Sequence, residues 1–209
     1  MTMQAETPTA PESEQTVEQK IQKLRELYAD APEVGKQAMQ NALREGAASL
    51  VSEPKTRMES AGRAGRRQGT VSELTILLPL VEGGAKRLRG LLQLSDGNFD
   101  ADRVATLHDM RFVFLENDTK LLFATAYDGE WDPYIDDFAT MIPIELDLFF
   151  CNCVGWPGIH SPSVKDWIAK YQVAADGWYV ASPNLTVAET WRLERVGKAL
   201  DEFLDKISD

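Results

Sequence analysis

Two apolar runs, Leu107 to Leu115 and Lys120 to Asp128, flank Asn117-Asp118 and limit this chain more than any other feature. Apolar and aromatic residues alternating around an Asn-Asp pair predict an antiparallel β-hairpin with a two-residue turn. That turn sets Glu116 opposite Thr119. It then pairs Phe114 with Leu121, Phe112 with Phe123, Met110 with Thr125 and His108 with Tyr127. One face is bulky and aromatic. The other carries Arg111, Val113, Leu122, Ala124 and Ala126. Both faces are too apolar for water, so both are expected to be covered. One is expected to meet helices of the same chain, the other the helical arm or a second subunit.

The surrounding pattern extends the hairpin into a sheet. Leu74, Ile76, Leu78 and Leu80 alternate along a first strand that Gly83-Gly84 ends, and Ala85, Leu88, Leu91 and Leu92 form a helical stripe after it. Asp132-Pro133 reads as an N-cap and first helical residue. The helix that follows, through Phe138, Leu146 and Phe150, is expected to break at Pro143. A short helix is predicted over Val164 to Tyr171, and a last strand over Gly177 to Ser182. A C-terminal helix is predicted to open on a Thr186/Glu189 capping box. The order β-α-β-β-α-β predicts an α+β domain of the ferredoxin-like type over residues 71–209.

In front of it lie a polar tail (1–15), expected to be disordered, and a helical arm (16–53). The arm opens with a Thr16/Gln19 capping box and takes the form of a helical hairpin. A Gly-containing segment (54–70) with Lys55, Arg57, Arg63, Arg66 and Arg67 reads as a solvated linker, or as an anion or partner contact.

Charge narrows the partners. The net charge of −11 disfavours nucleic acid and anionic membrane surfaces. No apolar run approaches the ~20 residues of a spanning helix. Met1 to Gln15 lacks the features of a secretory signal, and the only cysteines, Cys151 and Cys153, are too close in sequence for a disulfide. The expectation is a cytoplasmic protein.

Five short motifs occur in order: His108-Asp109-Met110-Arg111 with Phe112-Val113-Phe114-Leu115, Leu121-Leu122-Phe123, Tyr127-Asp128-Gly129, Tyr134-Ile135-Asp136-Asp137 and Gly155-Trp156-Pro157. Over about residues 71–205 the chain resembles a family of bacterial ferredoxin-like proteins, grouped loosely with the dimeric α+β barrels that include dye-decolourising peroxidases. The resemblance implies a homodimer and a haem or small-molecule pocket, peroxidase- or oxygenase-like. The Gly-x-x-Asp-Gly loop of those peroxidases is absent, since Thr125-Ala126-Tyr127 precedes Asp128-Gly129.

The candidate site gathers His108, Arg111 and Asp128 at the open end of the hairpin. His108 suits a general base or axial haem ligand, Arg111 a bidentate anion contact. Met110, Phe112, Phe123 and Tyr127, with Trp178, would line a cofactor pocket. Cys151, Cys153, His108 and His160 form no spacing that favours a metal. The competing reading is a non-enzymatic binding or assembly module that docks through residues 16–70 and the apolar sheet face.

Overall fold

In the computed structural model the described residues are 16–44, 56–94 and 100–208. The expected disordered tail lies outside them. The chain divides into two compact units, residues 1–55 and 56–209.

In the first unit, α1 (Val17–Leu27) starts at Thr16. The Thr16 side chain accepts from the Gln19 amide while the Gln19 side chain accepts from the Thr16 amide, so two orphan donors of the first turn are satisfied reciprocally. α2 (Glu33–Arg44) follows after a short turn, and neither helix buries a residue.

The second unit is built on a five-stranded antiparallel sheet. Its strands are β1 (Glu59–Ser60), β2 (Arg66–Gln68), β3 (Val71–Pro79), β4 (Leu107–Leu115) and β5 (Lys120–Asp128), in the order β1-β2-β3-β5-β4. β5 is an inner strand and pairs along its length with β3 and β4. Phe114 faces Leu121, Phe112 faces Phe123 and Met110 faces Thr125, as the turn requires. Asn117 and Asp118 both take positive φ, the conformation a tight hairpin turn demands. Glu116 precedes them with φ 50 and accepts the Thr119 amide at 3.3 Å.

Two expectations are corrected here. Residues 177–182 form no strand. The place beside β3 is already filled, by β2 at its start and by Gln172 and Val173 further along, where Gln172 bridges Ile76 and the Val173 amide reaches the Thr75 carbonyl at 2.8 Å. Residues 177–182 pass outside, where the Trp178 carbonyl accepts Gln68 Nε2. Segment 54–70 is therefore no linker, since it supplies β1 and β2. Its glycines are what make this possible: Gly69 has φ +61, and a Cβ there would lie 2.3 Å from the Pro183 carbonyl oxygen.

Helices cover the aromatic face of the sheet. α3 (Gly84–Leu94) follows β3. α4 (Trp131–Met141) and α5 (Pro143–Phe150) follow β5 and are separated by Ile142, since Pro143 has no amide to continue the first helix. α6 (Val164–Tyr171) and α7 (Val187–Ser208) complete the unit. Leu74, Ile76, Leu78, Leu121, Phe123 and Tyr127 meet Trp131, Tyr134, Phe138, Leu146 and Phe149 in one core. The Phe112 ring packs on Phe123 and Phe149, and Phe123 packs edge-on to Phe150. Gly84 allows this packing: a Cβ there would sit 2.6 Å from the Asn152 carbonyl oxygen, and its amide donates to the Val81 carbonyl.

α4 begins one residue before Asp132, with Glu130 as its N-cap and no side-chain cap, so Asp132 is not the cap expected of it. Its carboxylate instead joins an ion-pair cluster. Lys165 contacts Asp132 and Asp136 at 3.1 and 2.8 Å, Arg63 contacts Asp132 and Asp166, and Arg67 pairs with Glu59 and Glu130. The acidic run after β5 thus neutralises Arg63 and Arg67 of the 54–70 segment and fastens the β1-β2 hairpin to α4. Trp131, fully buried, adds a hydrogen bond from Nε1 to Gln172 Oε1 at 2.7 Å, and its amide donates to Ala61.

Partial desolvation raises the Asp132 pKa, but the hydrogen bond from Lys165 and the nearby Lys165 and Arg63 charges outweigh it and hold the carboxyl below its ordinary range. A carboxyl depressed on folding stabilises the fold above its unfolded pKa of about 4, and that contribution disappears as pH falls through the folded value. The urea midpoint of Asp132→Asn should therefore lie below wild type at pH 6. The two should converge below pH ~4. A constant gap across that range would show that Asp132 acts through something other than its charge.

Candidate active site

The expected site is split by one β-bulge. Leu107 pairs with Tyr127 and Asp109 with Ala126, so His108 is an extra residue on β4 and has no partner across the ladder. This corrects the expected His108–Tyr127 pair. Without the bulge, His108 would share the face of Met110 and Phe112. With it, His108 lies with Asp109, Val71 and Ala126 on the other face. Met110, Phe112, Phe123 and Tyr127 stay on the core side, where Tyr127 is fully buried and stacks on Tyr134 with ring centroids 3.7 Å apart. These side chains therefore do not form one cofactor pocket with His108. The void enclosed among Leu74, Phe123, Phe138, Phe150 and Trp167 is only about 20 Å³, no more than a single water needs.

What the bulge does create is a His–Asp pair. His108 Nε2 lies 2.8 Å from Asp128 Oδ1. The other carboxylate oxygen, Oδ2, accepts the Val187 amide at 2.8 Å, at the first residue of α7. Asp128 is therefore held at both oxygens, one of them by an orphan helix amide whose dipole favours negative charge. An ionised carboxylate only accepts hydrogen bonds, so Nε2 carries a proton toward Asp128, and Nδ1 is the ring nitrogen turned away from the pair. Nδ1 makes no hydrogen bond among the described residues.

A cleft of about 260 Å³ opens beside this pair, lined by His108, Trp178, Tyr179, Ser182, Leu185 and Thr190 with Val71 and Ala126 as its floor. Trp178 lines this cleft on the small-residue side, not a pocket with Met110, Phe112 and Phe123. Arg111 sits on the same sheet face opposite Ala124, largely exposed, with Nε 3.6 Å from Asp109 Oδ1. It reaches the rim of the cleft only through Asp109 and does not contact Asp128. The wall residues Tyr179, Ser182, Leu185 and Thr190 were not legible as site residues, because they owe their position to the failure of 177–182 to join the sheet.

The sulfur and second histidine positions lie elsewhere. Cys153 bridges Leu80 beyond the far end of β3, whereas His108 lies beside Val71 at its start. Among the described residues no group of three or more His, Cys, Asp or Glu side chains is placed to hold a metal. Burial, and then the neighbouring Cys151, push the Cys153 thiol up to about 12, so it is an inert core sulfur, while Cys151 is exposed.

Because Asp128 satisfies a helix amide as well as His108, its removal should cost more than removal of its partner. Asp128→Ala is expected to lose about 1–2 kcal/mol in denaturant unfolding, the range of a lost N-terminal cap. His108→Ala should lose under about 1 kcal/mol, as for a partly exposed pair. Equal losses would mean that the Val187 contact contributes nothing. No family model, no curated protein and no solved structure matches the chain.

Proposed function

We propose that the chain is a small-molecule-binding protein of the dimeric α+β barrel type, with its ligand in the cleft beside His108. The observation that carries this reading is the His108–Asp128 pair, with the imidazole Nδ1 left as a base at the edge of a cleft walled by aromatic and hydroxyl side chains. In that role His108 takes a proton from a bound ligand or gives one back, Asp128 orients the ring and stabilises its charged form, and Trp178 supplies an apolar aromatic surface. At roughly 30 Å³ per water, the volume suits a ligand of about nine non-hydrogen atoms. A small aromatic acid or phenol fits these walls. Haem is much larger, and the residues expected to cradle it lie on the other side of the sheet. A cleft of this size also lies below the ~300 Å³ at which drug-sized sites begin.

A second reading, an assembly module, has its own support. Leu77, Leu122 and Val113 form a row across β3, β5 and β4 on the small-residue face, and Leu77 and Val113 are exposed. A second copy seated on that row would give the paired-sheet arrangement that the ferredoxin-like reading implies. This face is continuous with the floor of the cleft, so the two readings are compatible.

Amide chemical-shift mapping with a panel of benzoates and phenols tests the first reading. Shifts centred on Ala126, Trp178 and Tyr179, lost in His108→Ala, are expected. A haemin titration run alongside should give no Soret shift that depends on His108. An unresponsive cleft, or a sharp Soret shift abolished by His108→Ala, would overturn the proposal.

A further inference from the structure

We propose that α7 is a self-association helix that pairs in parallel with α7 of a second copy. This rests on neither the ligand cleft nor the sheet face. α7 is held to its domain at its start. Thr186 and Glu189 close a capping box, the Val187 amide is bound by Asp128, and Val187 is the helix's one buried residue. From Trp191 to Ile207 every residue is exposed.

Most helical stability in proteins comes from packing an apolar face rather than from propensity. α7 has such a face. Leu193, Val196, Leu200, Phe203 and Ile207 recur at alternating spacings of three and four, the a and d positions of successive heptads, and each is 49% to 62% exposed. Scattered exposed apolar residues are ordinary, but a continuous seam at this period is the signature of a partner helix.

The charges beside the seam identify the partner and its direction. At 100° per residue, Arg192, Arg195 and Lys206 fall along one flank of the seam with one acidic residue, Glu202, and Glu194 and Asp201 fall along the other, so the two flanks carry opposite net charge. Two parallel copies related by a twofold axis along the helices place the basic flank of each against the acidic flank of the other. Antiparallel copies place basic against basic and acidic against acidic. Gly197, at an e position, leaves room for the long Arg192 side chain of the other copy to cross the seam toward Glu194 and Asp201. A second copy of the same helix thus satisfies the apolar seam and both flanks together, and the parallel orientation is the one its charges favour.

Sedimentation velocity of the full chain over a concentration series tests this, with Leu200→Asp/Phe203→Asp compared with Val113→Asp on the sheet face. The helix variant alters only exposed positions, so its fold should survive, and near-ultraviolet circular dichroism checks that it does. A reversible dimer is expected, with its dissociation constant raised at least tenfold by the helix variant. Orientation is read from Leu193→Cys in a Cys151→Ser background. Parallel helices bring the two substituted positions together, so oxidation should give a covalent dimer. A monomer at every concentration, a dimer lost in Val113→Asp but unchanged in the helix variant, a dimer lost on deletion of residues 1–55 but insensitive to the helix variant, or absence of the cross-link would each overturn the proposal.

Discussion

The architecture of the second unit depends on the pairing of β5 with both of its neighbours. Because β5 is bonded along its length to β3 and β4, Leu121 is fixed opposite Leu78 and Phe114, Phe123 opposite Ile76 and Phe112, and Tyr127 opposite Ser72 and Leu107. Side chains two residues apart share a face, so one registration commits the entire aromatic set to the same side. α4 and α5 then have a single surface to bury against, and they fill it almost without voids. A filled aromatic layer strengthens the fold and leaves no room for chemistry. The cleft beside His108 lies on the opposite face.

The bulge at His108 reconciles these demands. An extra residue on β4 turns one polar side chain away from the sealed core without disturbing the pairs between Asp109 and Leu115. The same displacement brings the imidazole to Asp128, whose second oxygen receives the first amide of α7. A β-strand and a helix N-terminus thus meet around one carboxylate. Bulges serve elsewhere to re-aim single side chains, and the geometry here has that character.

Much of this was readable from residues. The hairpin register between Met110 and Leu115, the break at Pro143 and the capping boxes at Thr16 and Thr186 follow from local chemistry that tertiary contacts do not override. Three features were not read. The bulge did leave a local signal: the core-facing Leu107 and Met110 are three residues apart, with two polar residues, His108 and Asp109, where strict alternation allows one. The strands at 59–60 and 66–68 are too short and too charged to read as strands, and they are held by Trp131, Gln172 and the ion pairs of Arg63 and Arg67, all distant in sequence. Residues 177–182 have strand composition but arrive at a sheet edge already occupied. The pairing of His108 with Asp128 was anticipated, whereas its separation from Met110, Phe112, Phe123 and Tyr127 was not, and both outcomes trace to the single inserted residue.

The central claim is that His108 faces the cleft with its Nε2 held by Asp128. Long-range proton–nitrogen correlation of the imidazole, with nuclear Overhauser contacts from its ring protons, tests this most directly. The account predicts a protonated Nε2 and contacts to Trp178 and Leu185. Ring contacts to Phe112 and Met110 would place His108 on the core face, and an Nε2 without a proton would break the pair with Asp128; either result contradicts the account.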